Sequence, residues 1–80
     1  MQIMTDKGFT CSRNSGSHGL WDIVCVRFDT IVLIQVKSTK AKTYREEPSV
    51  QEFRDLPVPE NVRKELWVFY PRQAPKITIL

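Results

Sequence analysis

Asp22, Gln35 and Lys37 are the residues of this chain whose types and spacing could do chemistry. Gln35 and Lys37 stand two apart in an otherwise apolar, β-branched run, so a strand would point both side chains to one face. Asp22 lies thirteen residues before Gln35, near the start of the preceding β-prone run. A carboxylate, an amide oxygen and an ammonium on adjacent strands suit phosphodiester hydrolysis assisted by a divalent cation. Oxygen ligands hold Mg²⁺ or Mn²⁺, the cation polarises the scissile phosphate and lowers the pKa of a bound water, and the lysine offsets developing charge or positions that water. The same three residues also read as an Asp22–Lys37 ion pair at the end of a sheet, with Gln35 hydrogen-bonded beside it. Spacing alone leaves both readings open, but buried polar groups on apolar strands need partners in either case.

The elements that must position them follow from the flanking sequence. Trp21–Arg27 and Ile31–Lys37 are two β-rich runs joined by Phe28-Asp29-Thr30, the length and chemistry of a hairpin connection. Both runs are apolar on both faces, which predicts central strands covered on two sides. Opposed residues of an antiparallel pair share a face, so a two-residue turn at Asp29-Thr30 would set Asp22 opposite Lys37 and Val24 opposite Gln35. Upstream, Gly8 is suited to ending a short N-terminal helix, Gly8–Cys11 reads as an edge strand, and Ser12–Gly19 is a small, polar loop. Downstream, Pro48–Leu56 carries Val50 and Phe53 at helical spacing, and Glu60–Lys64 could add one more turn. Leu66–Tyr70 and Lys76–Leu80 then read as strands either side of a proline-bounded turn.

Length bounds the rest. Eighty residues make one domain, spanning 1–80, with so little apolar area to bury that a partner subunit is expected. A hydrophobic content of 41% with 26% charged residues excludes wholesale disorder and collagen-like repeats. The longest apolar run, Ile31–Ile34, is far too short to cross a bilayer, and the polar start lacks a signal-peptide apolar region, so the expected location is intracellular, in the cytoplasm. Cys11 and Cys25 form no CxxC and His18 is the only histidine, so structural zinc is not expected and the cysteines read as free thiols. Twelve basic against nine acidic residues give a net charge of +3, a mild bias towards a phosphate-bearing partner. Lys37, Lys40, Lys42 and Arg45 fall within nine residues that contain no acid, which reads as a basic patch for DNA phosphates or as a solvated loop. His18, four residues before Asp22, could contact phosphate or shuttle a proton, or simply face solvent. Trp67, Phe69 and Tyr70 read as core or subunit interface before they read as a base-stacking platform. Nucleophile–histidine constellations and glycine-rich phosphate loops are absent.

The run Gly8-Phe9, Arg13, Ser15-Gly16-Ser17-His18-Gly19, Trp21-Asp22-Ile23-Val24 and then Ile31–Ser38 resembles the core of the PD-(D/E)xK nuclease superfamily, most closely the archaeal-type Holliday junction resolvases and their phage-encoded relatives. The resemblance implies an α/β fold of the restriction-endonuclease type, a central mixed β-sheet flanked by helices in a minimal single domain. It implies an Mg²⁺- or Mn²⁺-dependent endodeoxyribonuclease acting on branched DNA, working as a homodimer, with a virus-encoded origin in keeping with the compact form. Asp22 matches the family's metal-binding acid and Gln35-Val36-Lys37 its acid-x-lysine motif, so Asp22 and Gln35 would hold the metal and Lys37 would be the catalytic lysine. Ser17 and Arg13 match the loop serine and arginine that approach the scissile phosphate, and Ser15 and His18 belong to the same loop. Two departures stand out. Gln35 replaces the usual acid and brings no negative charge, and only seven residues precede Gly8, where the family usually supplies a glutamate from a longer helix. A nuclease-fold DNA-binding module with a weak or silent site is the alternative.

Overall fold

The computed structural model describes residues 2–13 and 19–80. Its elements are α1 (Gln2–Asp6), β1 (Thr10–Arg13), β2 (Ile23–Arg27), β3 (Thr30–Ser38), α2 (Pro48–Asp55), β4 (Val62–Phe69) and β5 (Lys76–Ile79). The strands form one mixed sheet in the order β1-β2-β3-β4-β5, and only β3 and β4 run parallel. That parallel pair needs a crossover, which α2 supplies. The expected α/β architecture is present, with an apolar cluster on each face.

On one face Met4 of α1 packs with Phe9, Cys25, Val32, Ile34 and Trp67. On the other, α2 buries Val50 against Leu66 and Val68, with Tyr44, Tyr70 and Leu80 closing over them. Phe53, one helical turn after Val50, is also fully buried. Pro48 sits in the first turn of α2, where its missing N–H costs nothing. At the other end, the ammonium of Lys64, on β4, donates to the carbonyls of Phe53 (2.9 Å), Arg54 and Leu56 (2.8 Å). Phe53 and Arg54 belong to the last turn of α2 and Leu56 follows it, so a buried lysine caps the helix end from the sheet, sharing the Phe53 carbonyl with the Leu56 N–H. Glu65, equally buried, accepts from the Trp67 indole (2.8 Å) and from Arg63 (2.7 Å), so the charge inside the sheet is fully engaged.

Four expectations are corrected. The turn expected over Glu60–Lys64 is not helical: Val62–Lys64 begin β4, because pairing with Ile31–Leu33 outweighs a local preference already weakened by Pro57 and Pro59. The first strand starts at Thr10 and runs through Ser12 and Arg13, where the sequence reads as loop. Phe28 adopts a left-handed backbone with φ 51°, so the two-residue turn is Phe28-Asp29 and Arg27 faces Thr30. This moves the register by two residues, sets Val24 opposite Leu33, and takes Lys37 away from Asp22 while leaving the faces unchanged. Finally, the cysteines are not free thiols: Cys11 lies directly across from Cys25 with Cα atoms 4.0 Å apart, and the two form a disulfide joining β1 to β2. The expected two-sided cover holds for β3, whereas Val26 of β2 stays exposed. No helix among the described residues is long and apolar enough to cross a membrane.

Candidate functional site

The carboxyl ends of β3 and β4 meet the start of β2 at one end of the sheet, and the residues singled out by type gather there. Asp22 immediately precedes β2. Its backbone N–H donates to the Ile34 carbonyl (2.8 Å) and its Oδ2 accepts from the Val36 N–H (2.7 Å), so it grips β3 on either side of Gln35. These two bonds bring Asp22 alongside Gln35 at the open end of the β2–β3 pair, just beyond its last paired residues, Ile23 and Ile34. Oδ1 of Asp22 makes no hydrogen bond among the described residues.

Gln35 is 4% exposed. Its Nε2 donates to the Leu20 carbonyl (3.0 Å) and the Ser49 carbonyl (3.3 Å), linking the segment before β2 to the first turn of α2. Two carbonyl partners fix the amide orientation, because only the NH₂ end can donate to both. The Oε1 atom is therefore held buried and without a partner. The Ser49 hydroxyl is also buried and without a partner among the described residues, and the buried Tyr44 hydroxyl has only the Glu47 backbone within reach. Natives leave few such atoms, each costing about 1–3 kcal/mol, and Gln35 and Ser49 are joined to each other at the first turn of α2.

Lys37 does not pair with Asp22. Its Nζ meets Glu47 Oε2 at 3.0 Å, with the lysine side chain 21% and the glutamate side chain 57% exposed. This overturns the reading of an Asp22–Lys37 ion pair. Glu47, the residue before α2, is the participant that sequence reasoning missed. The one signal was its place in Glu46-Glu47-Pro48, where proline at the first helical position fixes the preceding residue at the helix mouth. Beside the pair, Tyr44 has its phenol pushed above the usual 10.0, by burial first and by the charge of Glu47 second.

The other sequence candidates distribute around this centre. Arg13 ends β1 and shares a cleft with Asp22, Ile23 and Val36. Lys40 and Lys42 line a separate cleft beyond the end of β3, and Arg45 is exposed on the segment leading to α2. Ser15, Ser17 and His18 lie outside the described residues. Trp67 is core, buried to 1%, and not a stacking platform.

A hard divalent cation takes oxygen ligands, and Asp22 Oδ1 with the orphaned Gln35 Oε1 are donors of that kind. They bring a single formal negative charge, and among the described residues no three His, Cys, Asp or Glu side chains gather into a metal cluster. The donor chemistry fits a cation held weakly.

No protein-family model matches the chain, and no curated protein matches it in sequence. Among solved structures it is similar to Hjc, a Holliday junction resolvase of the hyperthermophilic archaeon Archaeoglobus fulgidus, with a TM-score of 0.69 and 20% identity over 98% of this chain and 68% of that one. The sheet order, the crossover helix and the end of the sheet where the polar residues collect all fall within the superposed part, and at this identity the shared property is the fold: the chain adopts the nuclease fold of the archaeal Holliday junction resolvases.

Proposed function

We propose that the protein is a divalent-metal-dependent endonuclease of branched DNA, with its active site at the Asp22–Gln35–Lys37 end of the sheet. The observation that carries this reading is the buried Gln35 Oε1 and Ser49 Oγ, which have no hydrogen-bond partner among the described residues, beside an Asp22 carboxylate anchored to β3. Asp22 and Gln35 would hold Mg²⁺ or Mn²⁺, which when bound would polarise the phosphate and acidify a water. Asp22 is preorganised for this by its bonds to the β3 backbone. Lys37 Nζ offers a positive charge to the phosphate as negative charge develops, and Glu47 holds that ammonium at the mouth of the site until substrate competes for it. Arg13, Lys40, Lys42 and Arg45 neutralise flanking phosphates. Ser17 would approach the scissile phosphate, with Ser15 and His18 in the same loop. Two copies acting together would cut opposite strands of a junction. Ile77 and Ile79, exposed on edge strand β5, offer an apolar surface for that pairing.

The test is cleavage of a labelled four-way junction in Mg²⁺ or Mn²⁺ by the wild type, Asp22→Asn and Lys37→Ala. The reading expects cleavage that both substitutions abolish and that chelation stops. A wild type that binds the junction without cutting it in either cation would refute the enzyme. A second reading, a DNA-binding module with a silent site, is favoured by one observation: the donors carry one negative charge and Lys37 is already occupied by Glu47.

A further inference from the structure

A cleft of about 520 Å³ opens beyond the carboxyl ends of β3 and β4, outside the cluster just described. Lys40 and Lys42 line one wall, and Tyr70, Gln73 and Lys76 line the other. It is continuous with the surface at Ser38 and Thr39, directly after the strand that carries Lys37. In open α/β sheets this position, past the carboxyl ends of parallel strands, is where ligands bind.

Both walls are built from acid-free sequence. No Asp or Glu occurs from Thr30 to Arg45 or from Leu66 to Leu80. Lys37, Arg54 and Arg63 pair with carboxylates, but Lys40, Lys42 and Lys76 form no ion pair among the described residues. The cleft therefore holds uncompensated positive charge, which attracts a polyanion.

The turn at its rim supplies a second observation. Gln73 N–H bonds back to the Tyr70 carbonyl (3.4 Å), with Pro71 and Arg72 as the central residues. Arg72 has φ 59°, the left-handed region that the third position of a proline-led type II turn requires and that glycine or asparagine normally fills. Here an arginine occupies it, exposed on a turn stiffened by proline. A residue set against its backbone preference is a pointer to function, and what this one adds is a guanidinium at the rim of a basic cleft.

We propose that this cleft binds the sugar-phosphate backbone of DNA. Lys40, Lys42 and Lys76 take phosphates within it, and Arg72 clamps a phosphate at its rim. The choice of DNA as the polyanion rests on the nuclease reading above; the site itself rests on its own geometry and charge. The β4–β5 turn thereby becomes part of the substrate interface, carrying the bound arm away from Lys37.

The test measures affinity for a fluorescent DNA duplex in EDTA, so that no cleavage intervenes, over a salt series beginning at about 50 mM. The double variant Arg72→Gly/Lys76→Gln is compared with wild type and with Lys7→Gln, which removes one exposed charge beside Arg27 and Phe28 at the far end of the sheet. Loss of two phosphate contacts reduces the slope of log K against log salt by about 2 and weakens binding at low salt by about 10- to 100-fold. Because glycine suits the backbone at position 72, the double variant should melt no lower than wild type. A double variant with wild-type affinity and slope overturns the proposal, as does a change no larger than that of Lys7→Gln, or a wild type without affinity at low salt. Failure of wild-type cleavage in Mg²⁺ with the slope change intact removes the nuclease and leaves the cleft; cleavage with an unchanged slope does the reverse.

Discussion

Gln35→Glu, the substitution that would complete the acid-x-lysine pattern the sequence resembles, is expected to damage the protein before it improves the site. The Gln35 amide donates to two carbonyls, those of Leu20 and Ser49, in a position 4% exposed. A carboxylate has nothing to donate to either and would face both as an unpaired buried charge. The side chain can escape by protonating. With a reference pKa near 4.3, remaining neutral at pH 7 costs about 2.7 units at 1.36 kcal/mol each, or about 3.7 kcal/mol. The neutral acid then donates to one carbonyl and loses the other bond, about 1 kcal/mol more. The destabilisation is therefore at most about 5 kcal/mol at pH 7 and about 2 kcal/mol at pH 5. The sign follows from the raised pKa in the folded state. That state binds more protons than the unfolded one above pH 4.3, so the variant loses stability relative to wild type as pH rises. Urea unfolding of both proteins in EDTA between pH 5 and 7 measures it. Added Mn²⁺ should recover more stability in the variant than in wild type, because the new charge gains a partner. A variant as stable as wild type at pH 7 in EDTA, with a flat pH difference, would show that the Gln35 amide is not needed by the two carbonyls.

Other consequences can be checked on the same protein. Lys64→Met removes the ammonium from three carbonyls at the end of α2 and should cost about 2–4 kcal/mol in urea unfolding, whereas a surface lysine would cost almost nothing. Reducing the Cys11–Cys25 disulfide, which closes a span of 14 residues containing Asp22, should lower stability by up to about 3 kcal/mol and loosen β1; an unfolding curve indifferent to a dithiol would contradict the pairing. The Tyr44 phenol should ionise above the usual 10.0, so Tyr44→Phe should remove the latest part of the rise in phenolate absorbance, and since its pKa is raised in the fold, stability should fall as pH climbs through that range. Glu47→Gln should barely alter stability, by less than about 1 kcal/mol, because the pair with Lys37 is partly solvated.

Most of the sheet was legible because its signals are local. The β-branched runs, the hairpin between them and the proline-led helix each announce themselves within a few residues, and the hairpin brings Asp22 to the Gln35 segment of β3. The details that failed depend on the whole fold. The register turned on Phe28 accepting a left-handed backbone usually left to glycine or asparagine, which no propensity favours. Val62–Lys64 became strand because a long-range parallel neighbour was waiting for them. The disulfide was invisible until β1 extended to Arg13 and aligned Cys11 with Cys25. At the site, residue types indicated the chemistry, but the partners did not follow: Lys37 turned to Glu47, ten residues on, and the amide of Gln35 bound backbone carbonyls that sequence does not reveal.

The central claim, that the Asp22–Gln35–Lys37 end of the sheet hydrolyses DNA, is tested most directly by measuring single-turnover cleavage and binding of a four-way junction together, for wild type and Lys37→Ala in Mn²⁺. For Lys37→Ala the expected result is junction affinity within a few-fold of wild type and a cleavage rate lower by about 10²-fold or more, the signature of a group acting in the transition state. Equal rates for the two proteins, or loss of rate explained wholly by loss of binding, would contradict it.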